Sequence, residues 1–483
     1  MQSRRDQVQA HLFVMSRLSS GMLRAEPDTP DTPTGRTTRG AVTGLVLGVL
    51  VGLGVAVFGM MKPGGNTGWA KPGTLVVVNE SGARFLYLGG VLRPVLNQTS
   101  AKLLTGDQLK VDQVGLASLS GVARGGPLGI VGAPDALPPA SGLGATEWLS
   151  CGTVKPTAAG APAPILSLLV GPERPGSALT AGQGLLVAAP DGSVYLLWHG
   201  QRLRVDTKNS AAQALGYPGA TPFPVSAAFL NALPAGPDLT APAIAGRGEP
   251  GPALAARQTR IGQLFDAPGG QHYVLTRDGL VPLTATLFDL LRGDPRTQRL
   301  ADGGLAAAPA AIGPDDLAAH TAPGTGFAAG LPADPPTLVT AGQGQAVCVD
   351  LRLSGTAPTT SVTVGDASLA AGRPPAVQPG VLPGCGPADL IAVRPGGGAL
   401  VRALSGAGSG GTDYLVTDGG VKYPLPSAAA VKQLGYAGVT PVAVPGTLLG
   451  LLPTGPSLDP AALAEGGVVT APVGAAGAAG CGN

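Results

Sequence analysis

Residues 40–61 read GAVTGLVLGVLVGLGVAVFGMM, 22 positions without a charge, and no other stretch of the 483-residue chain is both as long and as apolar. At ~1.5 Å per residue the run makes a helix of ~33 Å, enough to cross a hydrocarbon core of ~30 Å. A cleaved signal peptide has an apolar region of ~7–15 residues close to the N-terminus, ending at small residues. Here the run begins at residue 40 and ends in Phe-Gly-Met-Met-Lys-Pro, which predicts an uncleaved membrane helix. Arg4, Arg5, Arg17, Arg24, Arg36 and Arg39 precede it, whereas Lys62, Lys71 and Arg84 follow. The excess of basic residues keeps the leading segment in the cytoplasm. The expectation is a single-pass protein of the cytoplasmic membrane whose working part lies outside it.

The cytoplasmic head, residues 1–39, opens with a helical pattern over 4–24. Val8, Leu12, Met15 and Met22 share one face, which Phe13 and Leu18 widen. Repeated Pro from residue 27 ends that helix. Two readings stand side by side. One is an amphipathic helix on the membrane surface; the other is a docking helix for a cytoplasmic partner, with Arg4, Arg5, Val8, Leu12 and Met15 at the contact.

Over the whole chain, hydrophobic residues are 44% and charged residues only 12%. Disordered chains show the reverse, so the expectation is a folded, loop-rich body. Four segments repeat a strand, a Gly turn and a strand: 85–95, 195–205, 273–283 and 414–425. Each starts with an aromatic residue five or six positions before its Gly, reading as a β-hairpin. A short helix-like stretch follows each one. The second and fourth copies extend further: Leu215-Gly-Tyr-Pro-Gly-Ala-Thr-Pro matches Leu434-Gly-Tyr-Ala-Gly-Val-Thr-Pro. Solenoids and propellers need a near-constant period, and the spacing here is irregular. The copies therefore read as small lobes around a central domain built from residues between them.

Chemistry is sparse. The net charge is +2 and no basic run with aromatics occurs, so nucleic acid is not an expected partner. A P-loop needs Gly-Lys, and the chain has no such dipeptide. Gly406-Ala-Gly408-Ser-Gly-Gly411 matches a dinucleotide motif but leads into a strand pattern, where that motif requires a helix. No Gly-x-Ser-x-Gly elbow is present, and His11, His199, His272 and His320 are scattered. No catalytic, metal or cofactor site is expected. Trp69, Trp148, Tyr217 and Tyr436 read as packing residues rather than ligand platforms. Cys151, Cys348, Cys385 and Cys481 all follow the membrane helix, in an oxidising compartment that favours disulfides, and four Cys allow three pairings.

Several elements resemble the EccB family of actinobacterial type VII (ESX) secretion systems. They are Ser3-Arg4-Arg5-Asp6-Gln7, then Lys62-Pro63-Gly64-Gly65-Asn66-Thr67-Gly68-Trp69, then Arg124-Gly125-Gly126-Pro127-Leu128-Gly129-Ile130 and Gly132-Ala133-Pro134-Asp135. They occur in family order around one early membrane helix. The resemblance implies a structural subunit assembling with the FtsK/SpoIIIE-like ATPase and other ESX core subunits. It implies self-association, and small helical secreted proteins as cargo. It favours a Cys151–Cys348 bridge, because similar positions are bridged in the family; Cys385–Cys481 is then a possible second. The family is sometimes labelled an ATPase. Outside the resemblance, short β-lobes with aromatics also suit a cell-wall (peptidoglycan) binding module, and nucleotide hydrolysis is the weaker alternative.

The expected fold is α+β with mostly short strands. After the membrane helix comes an extended extracytoplasmic body of four β-hairpin/helix lobes around a central β-rich domain. The expected divisions are the head 1–39, the membrane helix 40–61, lobe one 62–128, centre 129–185, lobe two 186–245, lobe three 255–311, centre 312–412, lobe four 413–465 and a Gly/Ala-rich tail 466–483.

Overall fold

A computed structural model describes residues 4–24, 33–61, 67–156, 162–172, 176–302, 308–323, 327, 330–353, 358–375, 377–404 and 411–470. The fold is mixed α+β with many short strands. The chain divides into two compact units, one of residues 1–71, 76–83 and 112–123, the other of 72–75, 84–111 and 124–483.

In the first unit, helix α1 is Arg4–Arg24 and helix α2 is Pro33–Met61. α2 starts ahead of the uncharged run because Pro fits the first turn, where its missing N–H is not needed. In the same unit the Leu116 amide donates to the Glu80 carboxylate at 3.0 Å, placing an anion at the start of the 3-10 turn Leu116–Leu119.

In the second unit every repeat is a hairpin. Phe85 pairs with Pro94 and Leu88 with Val91, so Gly89 and Gly90 (φ 55° and 83°) form the two-residue turn. Trp198 pairs with Gln201 around His199 and Gly200; both have positive φ, as a type I′ turn demands. In the third copy Thr276 pairs with Gly279, so Arg277 and Asp278 turn and Gly279 lies in the strand. The fourth hairpin joins Asp413–Thr417 to Lys422–Leu425.

In copies one, three and four a side-chain cap starts the helix that follows the hairpin, whereas Ser210 before Ala211–Ala214 makes no such bond. Asn97 accepts from the Ser100 amide at 3.0 Å before helix α3, Gln98–Thr105. Thr284 caps Ala285–Gly293 and Ser427 caps Ala428–Gln433 in the same way. α3 packs on Pro460–Ala464 and Ala428–Gln433, while Ala285–Gly293 packs on Ala211–Ala214. There Gly293 touches Ala214 so closely that no side chain fits between.

The last three hairpins sit in sheets of one design. In the second copy the order is Gln201–Arg204, Val194–Trp198, Gln183–Ala188, Phe223–Pro224. In the third it is Gly279–Leu283, Gln271–Thr276, Leu264–Ala267, Ala310–Ala311. In the fourth it is Lys422–Leu425, Asp413–Thr417, Gly398–Leu404, Val442–Pro445. In each, the last strand joins the inner one in parallel, after a crossover. Gln183–Ala188 straddles the 185/186 division, and Gly398–Leu404, placed with the centre, is the inner strand of the fourth sheet. Both inner strands precede the aromatic-Gly signature, so the recurring pattern did not reach them.

A six-stranded sheet uses strands from both expected central segments, in the order Leu390–Val393, Pro162–Val170, Glu147–Pro156, Gln345–Arg352, Thr359–Asp366, Ser177–Ala178. Side chains alternate across it. Trp148, Leu166, Leu168, Val347 and Val349 face a core shared with Val187, Phe229, Val401 and Leu448. Leu149, Cys151, Leu169, Cys348 and Ala370 form a smaller cluster.

Candidate interaction site

α1 and α2 expose apolar surface that a water-soluble protein would bury. On α2, Leu45, Val51, Leu53 and Phe58 are exposed around the helix. A helix apolar on all sides belongs in a core or a bilayer, and Thr37–Phe58 meets the length and composition for crossing a membrane. On α1, Val8, Leu12 and Met15 are each more than half exposed, as are Phe13, Leu18 and Met22. Arg4 and Arg5 stand exposed on the first turn. Arg17 lies 5.8 Å from the Phe13 ring centroid, one turn away. The structure thus brings the five expected docking residues onto one helix; it holds no partner against them.

In the second unit, Cys151 and Cys348 face each other in register and are joined by a disulfide spanning 197 residues. Cys385 is also disulfide-bonded; its expected partner Cys481 lies outside the described residues. Ser167 and Thr363 occupy the cross-strand positions flanking the bridge. Their buried hydroxyls find no hydrogen-bond partner among the described residues.

The four aromatic residues read as packing groups are buried. Tyr217 and Tyr436, from matching positions of two repeats, donate to the carbonyls of Pro336 (2.7 Å) and Pro138 (2.8 Å). Burial pushes both phenols above their ordinary range, Tyr217 to about 12.

Two buried charges went unread in the sequence. Lys422 Nζ donates to the carbonyls of Leu449 and Leu452, and desolvation lowers its pKa to about 8. Asp294 is fully buried beside Arg247 and Arg296. Nothing in the neighbouring sequence distinguishes either from an exposed charge.

For reaction chemistry the geometry offers little. His272 Nδ1 lies 2.8 Å from Asp266 Oδ1, and its ring stacks on Phe288. An open polar cleft of about 570 Å³ is lined by residues that include Asp191, Arg204, Asp206 and Lys208. Asp206 is already engaged by Asn209 and Thr240; these bonds lower its pKa against the opposing effect of burial, the largest single influence. Among the described residues, no group of three or more His, Cys, Asp or Glu could hold a metal ion. Of the Gly406–Gly411 motif only Gly411 is described, and Asp413–Thr417 after it is a strand.

The family model for the type VII secretion system ESX-1 transport TM domain B matches residues 1–470. The chain is 30% identical to the "ESX-3 secretion system ATPase EccB3" of Mycolicibacterium smegmatis, covering 94% of this chain and 89% of that one. It is 30% identical to the "ESX-2 secretion system ATPase EccB2" of Mycobacterium tuberculosis, covering 97% and 96%. Among solved structures, it shares its fold with a chain of an intact ESX-5 inner membrane complex (TM-score 0.62, 23% identity, 95% of each chain). An EccB3 dimer from the ESX-3 core complex is similar too (TM-score 0.61, 26% identity, 80% of this chain and 98% of that one). A match this long, with relatives along almost their whole length, establishes that the chain belongs to the EccB family of type VII secretion proteins.

Proposed function

We propose that this chain is a structural subunit of a type VII (ESX) secretion complex in the cytoplasmic membrane. Its N-terminus is cytoplasmic, α2 crosses the bilayer, and the body stands outside. The observation that carries the reading is the pairing of one membrane-length helix with a family match over residues 1–470. The basic residues preceding α2 support the orientation.

In this reading α1 docks cytoplasmic regions of the other core subunits, including the FtsK/SpoIIIE-like ATPase. Arg4 and Arg5 supply charge, and Val8, Leu12 and Met15 supply an apolar stripe. The body is four related lobes around a central sheet, a view supported by the recurring hairpins and by the one sheet design of copies two to four. Self-association of the body is supported by the dimer of its relative. Small helical proteins are the cargo. Relatives carry the word ATPase in their names; in this chain, which has no Gly-Lys dipeptide, the scaffold role fits better and nucleotide turnover belongs to the motor subunit.

The test is a mild-detergent pull-down of the tagged full-length chain from its native membrane, read by mass spectrometry. Recovery of the motor and the multi-span core subunits supports the assignment. Recovery of this chain alone, under conditions that keep other membrane complexes intact, refutes it. Replacing Val8, Leu12 and Met15 by Ser should release the motor while leaving the chain in the membrane.

A further inference from the structure

A second, smaller hairpin lies ahead of the third repeat. Pro250 bridges to Arg260 and Leu254 to Arg257, both antiparallel, and the Gly251 amide donates to the Thr259 carbonyl at 2.9 Å. Leu254 and Arg257 exchange both backbone bonds, at 3.0 and 2.9 Å, so Ala255 and Ala256 alone make the turn. Their φ values are 51° and 58°, the type I′ pattern that ordinarily selects Asn or Gly. An L-residue there brings its Cβ against the following carbonyl oxygen. Among the described residues, only His199, Ser210, Ala255 and Ala256 combine a Cβ with positive φ, and only the last two are adjacent. The turns of the first two repeats use Gly89–Gly90 and His199–Gly200 instead.

Two contacts hold this tip down. Leu254 is 1% exposed and belongs to the hydrophobic cluster of Ile261, Leu275, Leu280 and Ile312. The half-buried Asp316, in the first turn of helix Pro314–His320, accepts from the Ala255 amide at 3.1 Å. On either side of Leu254 the hairpin is exposed, at Pro252 and Ala253 and from Ala255 to Gln258. The opposing contributions are of similar size. Burying a Leu side chain favours closure by roughly 10- to 150-fold, and a carboxylate acceptor at a half-exposed site adds up to about tenfold. Two left-handed alanines oppose closure by roughly tenfold each. Backbone strain of this kind collects in ligand clamps and switch segments.

We propose that residues 250–260 are a strap that opens as a unit, independently of the third repeat's sheet, and is held shut by Leu254 and Asp316. Local opening of this kind is cheapest where few buried contacts hold a segment, and here Leu254 and the buried Thr259 are the strap's main inward-facing groups. Opening uncovers the apolar seat that Leu254 fills when the strap is shut. Access to that seat is then set by the strain at Ala255 and Ala256, without unfolding of the rest of the body.

The test is amide hydrogen exchange in the detergent-solubilised full chain, comparing 250–260 with the strands of the third repeat at 264–283. Corrected for intrinsic rates, the strap should exchange about tenfold or more faster than those strands. Ala255→Gly and Ala256→Gly remove the strained side chains. Allowing for the extra freedom of glycine in the open chain, each should slow strap exchange about fivefold, about 25-fold together, and leave 264–283 unchanged. These variants relieve strain, so they test the strap without endangering the fold. Asp316→Asn should speed strap exchange by about threefold or more. A strap that exchanges as slowly as the strands overturns the proposal, because the segment then opens only with the whole repeat. So does a doubly substituted chain whose strap exchanges no slower than the parent's, because the turn then carries no strain. An Asp316→Asn chain that exchanges no faster overturns the part assigned to Asp316.

Discussion

Asp294→Ala should loosen the third repeat more than any surface change in the body. The Asp294 side chain has no exposure, and Arg247 beside it keeps 12%. Arg247 Nη1 lies 3.4 Å from Oδ2, and also donates to Thr297 and, through Nη2, to the Pro242 carbonyl. Burial lowers the Arg247 pKa and Asp294 opposes that shift. The Arg296 amide donates to Oδ1 at 2.8 Å, so the same carboxylate caps helix Pro295–Asp302. Removing it strands a buried guanidinium, at ~3–5 kcal/mol, and uncaps a helix, at ~1 kcal/mol. Arg296 is 40% exposed and can turn to water, so its pair adds little. The sum, about 4 kcal/mol at its lower end, is a large share of the ~5–15 kcal/mol that holds a typical domain. A chain of several lobes need not unfold in one step, so the assay is amide exchange over 241–247 and 285–302 in the detergent-solubilised full chain. Acceleration on the order of a thousandfold is expected, from ~1.4 kcal/mol per decade. Adding Arg247→Met should restore most of the protection, because the stranded charge is gone. Acceleration below about tenfold, or a double variant as open as the single one, would refute the reasoning.

Three further outcomes follow from the same geometry. Replacing Cys151 and Cys348 by Ser removes a crosslink spanning 197 residues and should cost about 5 kcal/mol in the chain-entropy model, read as a fall in thermal midpoint that reductant reproduces in the parent protein. Lys422 has a pKa near 8 in the folded chain against 10.5 ordinarily. Between those values the unfolded chain binds the extra proton, so stability should rise with pH across that window and the cost should be fully present below it; Lys422→Met should flatten that slope in urea titrations at stepped pH. Gly200 has φ +70° and a Cβ there would collide with the Thr360 carbonyl. Gly200→Ala should therefore cost at least about 2 kcal/mol, measured by the same urea titration; a loss below ~0.5 kcal/mol would contradict that backbone geometry.

Where a local rule governs, the sequence was readable. The uncharged run dictates a helix long enough to cross a membrane because twenty-two uncharged positions leave it no polar face to turn to water. In the first two copies the Gly turns dictate hairpins because a two-residue turn of this kind needs positive φ, and Asn97, Thr284 and Ser427 dictate helix starts through their side-chain caps. The stripe of Val8, Leu12 and Met15 follows from helical periodicity alone. These features depend on residues within a few positions of one another.

Other features exist only once distant segments meet. The inner strand Gly398–Leu404 precedes its hairpin, so only pairing with Asp413–Thr417 and Val442–Pro445 assigns it to the fourth sheet. Which cysteines face each other depended on Glu147–Pro156 and Gln345–Arg352 becoming neighbours in one register. Burial turned Asp294 and Lys422 from ordinary polar residues into groups whose charge must be satisfied by a guanidinium or by carbonyls. Arg124 met Phe85 across 39 residues, a contact no spacing announces. The sequence by itself determined the anchor, the hairpins and the caps, because their free energies are local. Tertiary structure decided sheet membership, disulfide register and buried charge, because the energies that fix them arise only between residues far apart along the chain.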